Sequence, residues 1–323
     1  MMEHAVQKYI VLILILLLFS FSSCIKPQER ENSLSYEILF IRHDIKQDGS
    51  DNQSIYILNV EDGKINKLFD IKVDKPPYIS DVETDQETVR LIKTKRERVK
   101  FLFEKPLRVF KGKFCAYSNY IEPGDIVAGG EVYKGIYLYN LENRKKIKID
   151  EDIFVNSLSF SHDLKYLFIN SLGNLYAYSM DDGNIRKVIE KNENFFGMMK
   201  MDRVSDEIYL IADYVYPNLY RYRIKEKKKE LIIEGVSQYI IDPKDKNLIY
   251  IRNSYQDGRS YLGILNIDEN KITKEIEFYD YRINGFLDEK NLIISSYPSK
   301  EDFNISIYIL NLDAFKLKKI YSP

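Results

Sequence analysis

Tryptophan is absent from the 323 residues, cysteine occurs twice and histidine three times. Two thiols cannot staple a disulfide scaffold, and so few thiols and imidazoles leave no Cys/His cluster for a structural metal. Neither sign of charge is in excess, because 48 Lys and Arg stand against 49 Asp and Glu. A net charge of -1 removes the whole-protein field behind sequence-independent nucleic-acid binding, so nucleic acid is not an expected partner. Neither a Gly-x-Ser-x-Gly elbow nor a regular Asp-x-Asp-x-Asp loop is present, and with them go the signatures of an α/β-hydrolase and of a calcium loop. No catalytic residue, metal ligand or cofactor is expected. What the chain does have is 45% apolar residues, with 26 Tyr and 17 Phe. That is enough to build a sizeable core.

The one long apolar run is Tyr9 to Phe19, preceded by Lys8 and followed by Ser20, Phe21, Ser22, Ser23 and Cys24. A cation, an apolar stretch and then small residues form the layout of a secretory signal. As a helix the run spans roughly 16 Å, about half of a ~30 Å hydrocarbon core, so it is expected to insert and be cut. Phe21-Ser22-Ser23-Cys24 resembles a bacterial lipobox, with Phe21 in place of the usual Leu. The resemblance implies that residues 1–23 are a lipoprotein signal peptide and that Cys24 is lipidated on sulfur and acylated as the mature N-terminus. Several acyl chains, at about 0.8 kcal/mol per buried CH₂, hold where one does not. The protein is then expected on the cell membrane or outer membrane, facing the periplasm or exterior, where kinases and dehydrogenases lack their cofactors. Residues 24–34 are polar and read as a tether, and 35–323 as the domain. Cys115 is left without a partner and reads as a small buried apolar residue.

Within the domain one phrase recurs. Ser54-Ile55-Tyr56-Ile57-Leu58-Asn59 returns around Asn140, Ser179, Arg223, Asn266 and Asn311, at spacings of 81, 39, 44, 43 and 45. A second apolar run precedes each copy, such as Tyr36 to Ile41 or Tyr166 to Ile169. A third follows a turn such as Glu61-Asp62-Gly63 or Asp181-Asp182-Gly183. Short Ile-, Leu- and Tyr-rich runs with Asp-Gly punctuation read as strands and hairpins. Four short strands every 40 to 45 residues predict an all-β fold, a β-propeller of four-stranded blades closed as a monomeric ring.

Ser157-Leu158-Ser159-Phe160-Ser161-His162-Asp163-Leu164, followed by Asn174-Leu175-Tyr176 and Asp181-Asp182-Gly183, resembles the repeat of TolB-like propellers and of the propeller domain of dipeptidyl-peptidase relatives. That repeat has a Phe-Ser-Pro-Asp-Gly turn, and here His162 replaces its Pro and Leu164 its Gly. Six blades are favoured over seven. The 81-residue first spacing holds either an insertion or a degenerate seventh blade whose hairpin would be Glu87 to Lys93 and Arg98 to Lys105. Starting on a second strand leaves ring closure unexplained.

The most distinctive local feature lies in that gap: Arg90, Lys93, Lys95, Arg96, Arg98 and Lys100 within eleven residues. It could meet an anionic partner, such as lipid headgroups or an acidic polymer, or form the wet side of a strand pair over Val89, Leu91, Val99, Phe101 and Phe103. His43-Asp44 reads as a turn element and His162 as shaping its blade's inner turn. Glu83, Asp85 and Glu87 read as solvated acids, and Lys225 to Glu230 as a hairpin turn. Tyr214, Tyr216, Tyr255, Tyr279, Tyr281 and Tyr297 could contact a peptide or glycan, although most Tyr must pack blades. The expected function is a lipid-anchored binding or scaffolding module for a protein or glycan. The alternative is a propeller hydrolase, lactonase-like or cyclotransferase-like, with a metal in the central channel. A third is an accessory subunit that senses or delivers a ligand to a membrane complex.

Overall fold

The computed structural model describes residues 36–45, 51–71, 82–121, 132–190, 200–205, 207–212, 217–254, 258–278, 281–296 and 305–323. Cys24, the signal and the tether lie outside them, as do Tyr214, Tyr216, Tyr255, Tyr279 and Tyr297.

Each copy of the repeated phrase is the third strand of a four-stranded antiparallel sheet, and the six sheets form a six-bladed propeller. Blade 1 holds β1 (Glu37–Ile45), β2 (Asp51–Asn59), β3 (Ile65–Ile71) and β4 (Val82–Glu83). Blade 2 holds β5 (Leu107–Lys111), β6 (Phe114–Ile121), β7 (Val132–Asn140) and β8 (Lys146–Val155), and blade 3 β9 (Ser157–Phe160), β10 (Tyr166–Ser171), β11 (Asn174–Ser179) and β12 (Ile185–Ile189). Blade 4 comprises β13 (Lys200–Val204), β14 (Glu207–Ala212), β15 (Asn218–Arg223) and β16 (Lys228–Ile233). Blades 5 and 6 follow as β17 (Val236–Ile241), β18 (Asn247–Asn253), β19 (Ser260–Asn266), β20 (Lys271–Glu277), then β21 (Tyr281–Phe286), β22 (Asn291–Ser296), β23 (Ile307–Asn311), β24 (Lys316–Tyr321).

The recurring Asn has a local cause. Asn59 Oδ1 accepts the backbone N–H groups of Glu61 and Asp62, Asn140 those of Glu142 and Asn143, and Asn266 and Asn311 those of Glu269 and Ala314. An Asn at the end of the third strand thereby fixes the turn into the fourth. Three residues before it stands Tyr56, Tyr137, Tyr176, Tyr220 or Tyr308, half-buried under a cation, which comes from β1 in blade 1 (Arg42) and from the outer strand in the other four. Lys146 lies 4.2 Å from the Tyr137 ring centre, Lys229 3.9 Å from Tyr220 and Lys319 5.6 Å from Tyr308. Blade 5 has Gly263 at this position, and the buried Tyr250 ring of β18 covers it, its hydroxyl donating to Glu275 of β20 at 2.7 Å.

Six apolar clusters each fill one interface between neighbouring blades. Between blades 3 and 4, for example, Phe168 and Leu175 meet Met201, Ile208 and Leu210, none more than 0% exposed. Burial of such side chains stabilises by about 1.5–3 kcal/mol each.

The 81-residue gap contains no seventh blade. The hairpin expected over Glu87–Lys93 and Arg98–Lys105 is replaced by α1 (Gln86–Phe103), kinked at Lys95. Val89, Leu91, Val99, Phe101 and Phe103 fit a period of two, but Thr88, Val89, Leu91, Ile92, Val99, Leu102 and Phe103 share a helical face, and that face is the buried one. Asp85 caps the helix through Thr88 N at 2.8 Å. The apolar face packs in one cluster with Ile41, Ile57 and Phe69 of blade 1 and Phe110, Cys115 and Tyr117 of blade 2. The helix is thus a wedge in one interface.

Ring closure uses the same gap. β4 lies at the inner edge of blade 1, pairing Val82 with Phe40 and Glu83 with Leu39 of β1. The innermost strand of blade 1 therefore comes from residues that follow its outermost one. Ile38, Phe40, Leu58 and Val82 then pack on Ile293, Ile307 and Tyr321 of blade 6, with the Phe40 and Tyr321 rings 4.8 Å apart.

Candidate functional site

Antiparallel order places the connections between first and second strands, and between third and fourth, on one face of the ring. These are two to five residues long in blades 2 to 6; on the opposite face they reach ten. Among the described residues, a cluster of ionisable groups that joins three blades lies at the inner end of the short-turn face.

There His162, in the β9–β10 turn, reaches two further blades. Its Nδ1 lies 2.9 Å from Asp202 Oδ1 on β13, and its Nε2 contacts Asp245 in the β17–β18 turn. Asp202, 5% exposed, also accepts the backbone N–H groups of His162 and Arg203 at 2.9 and 2.7 Å. The imidazole does more than shape its own turn: it clasps blades 3, 4 and 5. Leu164 in that turn has φ +60°, so the backbone keeps the left-handed conformation that glycine supplies in the resembling repeat. Hydroxyls nearby are spent elsewhere, Ser159 Oγ donating to Met201 O at 2.8 Å and Ser161 Oγ to Asp163 at 2.7 Å.

Burial alone would lower the His162 pKa, but the hydrogen bond and charge of Asp202, with Asp245 and Asp163 nearby, raise it above 6.5. A folded-state pKa above the unfolded one stabilises below pH 6.5 and ceases to do so as pH rises through the folded value. The melting temperature is therefore expected to fall as pH rises past 6.5 and through the folded-state value, and a His162→Gln variant to lack that fall. Equal slopes in melting curves across pH would refute the clasp. On the neighbouring β13, desolvation of the ammonium brings Lys200 to about 8, Asp202 opposing and Lys111 adding to it. Lys200 donates to Tyr239 O.

The six cations of the gap sit on α1. Lys93 pairs with Glu37, Lys95 donates to Glu142 O, and Thr88 Oγ1 donates to Gly112 O at 2.8 Å. Among the described residues Arg96 meets only its neighbour Glu97, at 3.8 Å, and Lys100 is half-buried near Asp70. Arg90 and Arg98 are exposed, as is Phe101, whose ring packs edge-on against Tyr139. The reading as the wet side of a strand pair is corrected accordingly: the cations occupy the solvent side of a helix.

Other expectations divide. His43 and Asp44 are not a turn element but lie within β1, opposite Gln53 and Asn52; His43 is buried because β1 continues to Ile45. The side chain of Gln53 is 2% exposed and neither amide atom has a hydrogen-bond partner among the described residues. Asp85 is a helix cap and Glu87 a first-turn acid, apart from Glu83 on β4. Glu230 pairs with Arg221 at 2.9 Å, so it belongs to the blade rather than the turn. Tyr281 is half-buried against Phe278 and Tyr308. Cys115 is fully buried, and desolvation pushes its thiol pKa up. Among the described residues, no three His, Cys, Asp or Glu side chains are placed to hold a metal, and no helix is long and apolar enough to cross a membrane.

Asp202 and Asp245 went unpredicted as site residues. Their signal is spacing, since 162, 202 and 245 are each about one blade apart.

No family model and no curated protein matches the sequence. Solved structures do resemble the fold. TolB from Acinetobacter baumannii aligns with a TM-score of 0.55 at 11% identity, over 88% of this chain and 64% of that one. Apo AztD from Citrobacter koseri aligns at 0.46 and 12% identity, over 88% and 94%. An oligogalacturonate lyase in complex with manganese aligns at 0.48 and 7%, over 83% and 70%. The chain thus spans less than two thirds of the TolB chain. At these identities the likeness is one of fold, a TolB-like propeller.

Proposed function

We propose that the protein is an extracytoplasmic lipoprotein, held in the membrane through Cys24, whose monomeric ring binds or scaffolds a protein or glycan partner without chemistry of its own. The observation that carries the non-catalytic part is the clasp: both ring nitrogens of His162 face carboxylates that join three blades, and neither adjacent serine hydroxyl bonds to the ring. A base so engaged has no nucleophile to activate. Support for the anchor is the apolar run ending in Phe21-Ser22-Ser23-Cys24.

Cys24→Ser is expected to move the protein from the detergent phase to the aqueous phase on phase separation. Unchanged partitioning would refute the anchor. Metal analysis after dialysis separates this function from a channel-metal hydrolase, for which one tightly held cation per chain is required.

A further inference from the structure

We infer that α1 is a membrane-docking element for anionic phospholipid headgroups, so that the short-turn face of the ring looks toward the bilayer and the face with the longer connections looks away. The inference rests on the lipid-anchor reading and adds an orientation to it. Its first support is where the tether enters. Glu37, the first residue of β1, pairs with Asn59, which opens a third-to-fourth-strand turn, so the chain joins the ring on the short-turn face. Lys93 of α1 contacts that same Glu37, while Thr88 and Lys95 bond Gly112 and Glu142, both in turns of that face. Thirteen peptide steps from Cys24 to Glu37 extend at most about 45 Å. A lipid on Cys24 thus limits Glu37, and with it Lys93 of α1, to within about 45 Å of the anchor, a reach that lets α1 meet the headgroups.

The second support is chemistry. Six cations face two acids, Glu87 and Glu97, along the helix, on a chain whose net charge is only -1. Among the described residues, the guanidiniums of Arg90, Arg96 and Arg98 are not consumed by pairing within the ring, apart from the long contact of Arg96 to Glu97. Phe101 is 38% exposed beside them. Exposed cations with an aromatic ring on one helix face, the other face being buried in the protein, suit the interface of an anionic bilayer.

The acylated full-length protein offers a direct test, because Cys115 is buried and a single added cysteine takes a fluorophore. Thr94→Cys places it on α1, and Leu172→Cys in the exposed β10–β11 turn of the opposite face. In phosphatidylglycerol vesicles carrying a headgroup spin label, position 94 is expected to be quenched several-fold more than position 172. In phosphatidylcholine vesicles the two are expected to be alike. R90A/R96A/R98A is expected to lower the docked-to-undocked ratio on the order of 100-fold, through loss of three interfacial cations. R259A, in the β18–β19 connection of the opposite face, is expected to leave it unchanged. Equal quenching at 94 and 172 in phosphatidylglycerol, or an equal loss in the control variant, overturns the inference. So does undiminished docking of the arginine variant, or a switch of α1 to soluble polyglutamate without lipid-dependent quenching. Protein that sediments with both lipids yet shows no contrast refutes docking alone. Protein that stays in solution with both refutes the anchor as well.

Discussion

Replacing Gly263 with alanine is expected to destabilise the propeller by about 3 kcal/mol, the upper part of the range for overpacking a filled core. An added Cβ would stand 2.1 Å from Cζ of Tyr250 and 2.3 Å from its hydroxyl oxygen. The ring has little freedom to retreat: it is buried within the blade 4–5 cluster, and its hydroxyl is held by Glu275. Glu275 is in turn held by Arg252 through bonds of 2.7 and 2.6 Å. For a domain of this size, a melting temperature lowered by roughly 5–10 °C is the readout. Y250L/G263A should recover part of the loss, because blade 4 already places Leu210 opposite Tyr220 in the same register. If G263A alone melts like the wild type, the ring does not lie over the glycine.

Gly285→Ala is expected to cost about 2–3 kcal/mol by opening the seam of the ring. Its Cβ would lie 1.9 Å from Oγ1 of Thr84 and 3.3 Å from Thr84 Cβ. Thr84 follows β4, is 6% exposed, and is β-branched, so it has few rotamers into which to withdraw. Because the contact joins blade 1 to blade 6, the two sites should couple. T84A/G285A is expected to be more stable than the sum of the single changes predicts, by at least 1 kcal/mol in denaturant titrations, a coupling size typical of touching residues. Additive single effects would mean that β4 does not sit against blade 6.

Much of the fold is legible in the residues because each blade repeats its own solution. The Asn that ends the third strand, the Tyr three residues earlier and the Asp-Gly turn are local requirements, and they recur at local spacing. First strands are less legible, since Ser157-Leu158-Ser159-Phe160 and Tyr281 to Phe286 share no common phrase. The gap misled for a definable reason. Val89, Leu91, Val99, Phe101 and Phe103 satisfy alternation, and only the cap at Asp85 together with Ile92 and Leu102 tips the balance to a helix. Ring closure by β4 could not be read, because two residues carry no period. Nor could the clasp, since His162, Asp202 and Asp245 are brought together by the ring and not by the chain.

Gly263 shows what a departure from the repeat means here. Where five blades place a tyrosine under a cation, blade 5 carries the ring on the adjacent strand, its hydroxyl donating to Glu275. The Tyr surplus is therefore blade material to a large degree, and Tyr281 joins it. The α1 cations stay outside, because the wedge face is apolar apart from Thr88.

The function proposed here depends most on the anchor, and the mature N-terminus tests it directly. Mass spectrometry of the protein extracted from bacterial membranes is predicted to find a chain that begins at Cys24 and carries acyl mass on that residue. A chain that retains residues 1–23, or that begins with an unmodified Cys24, would contradict it.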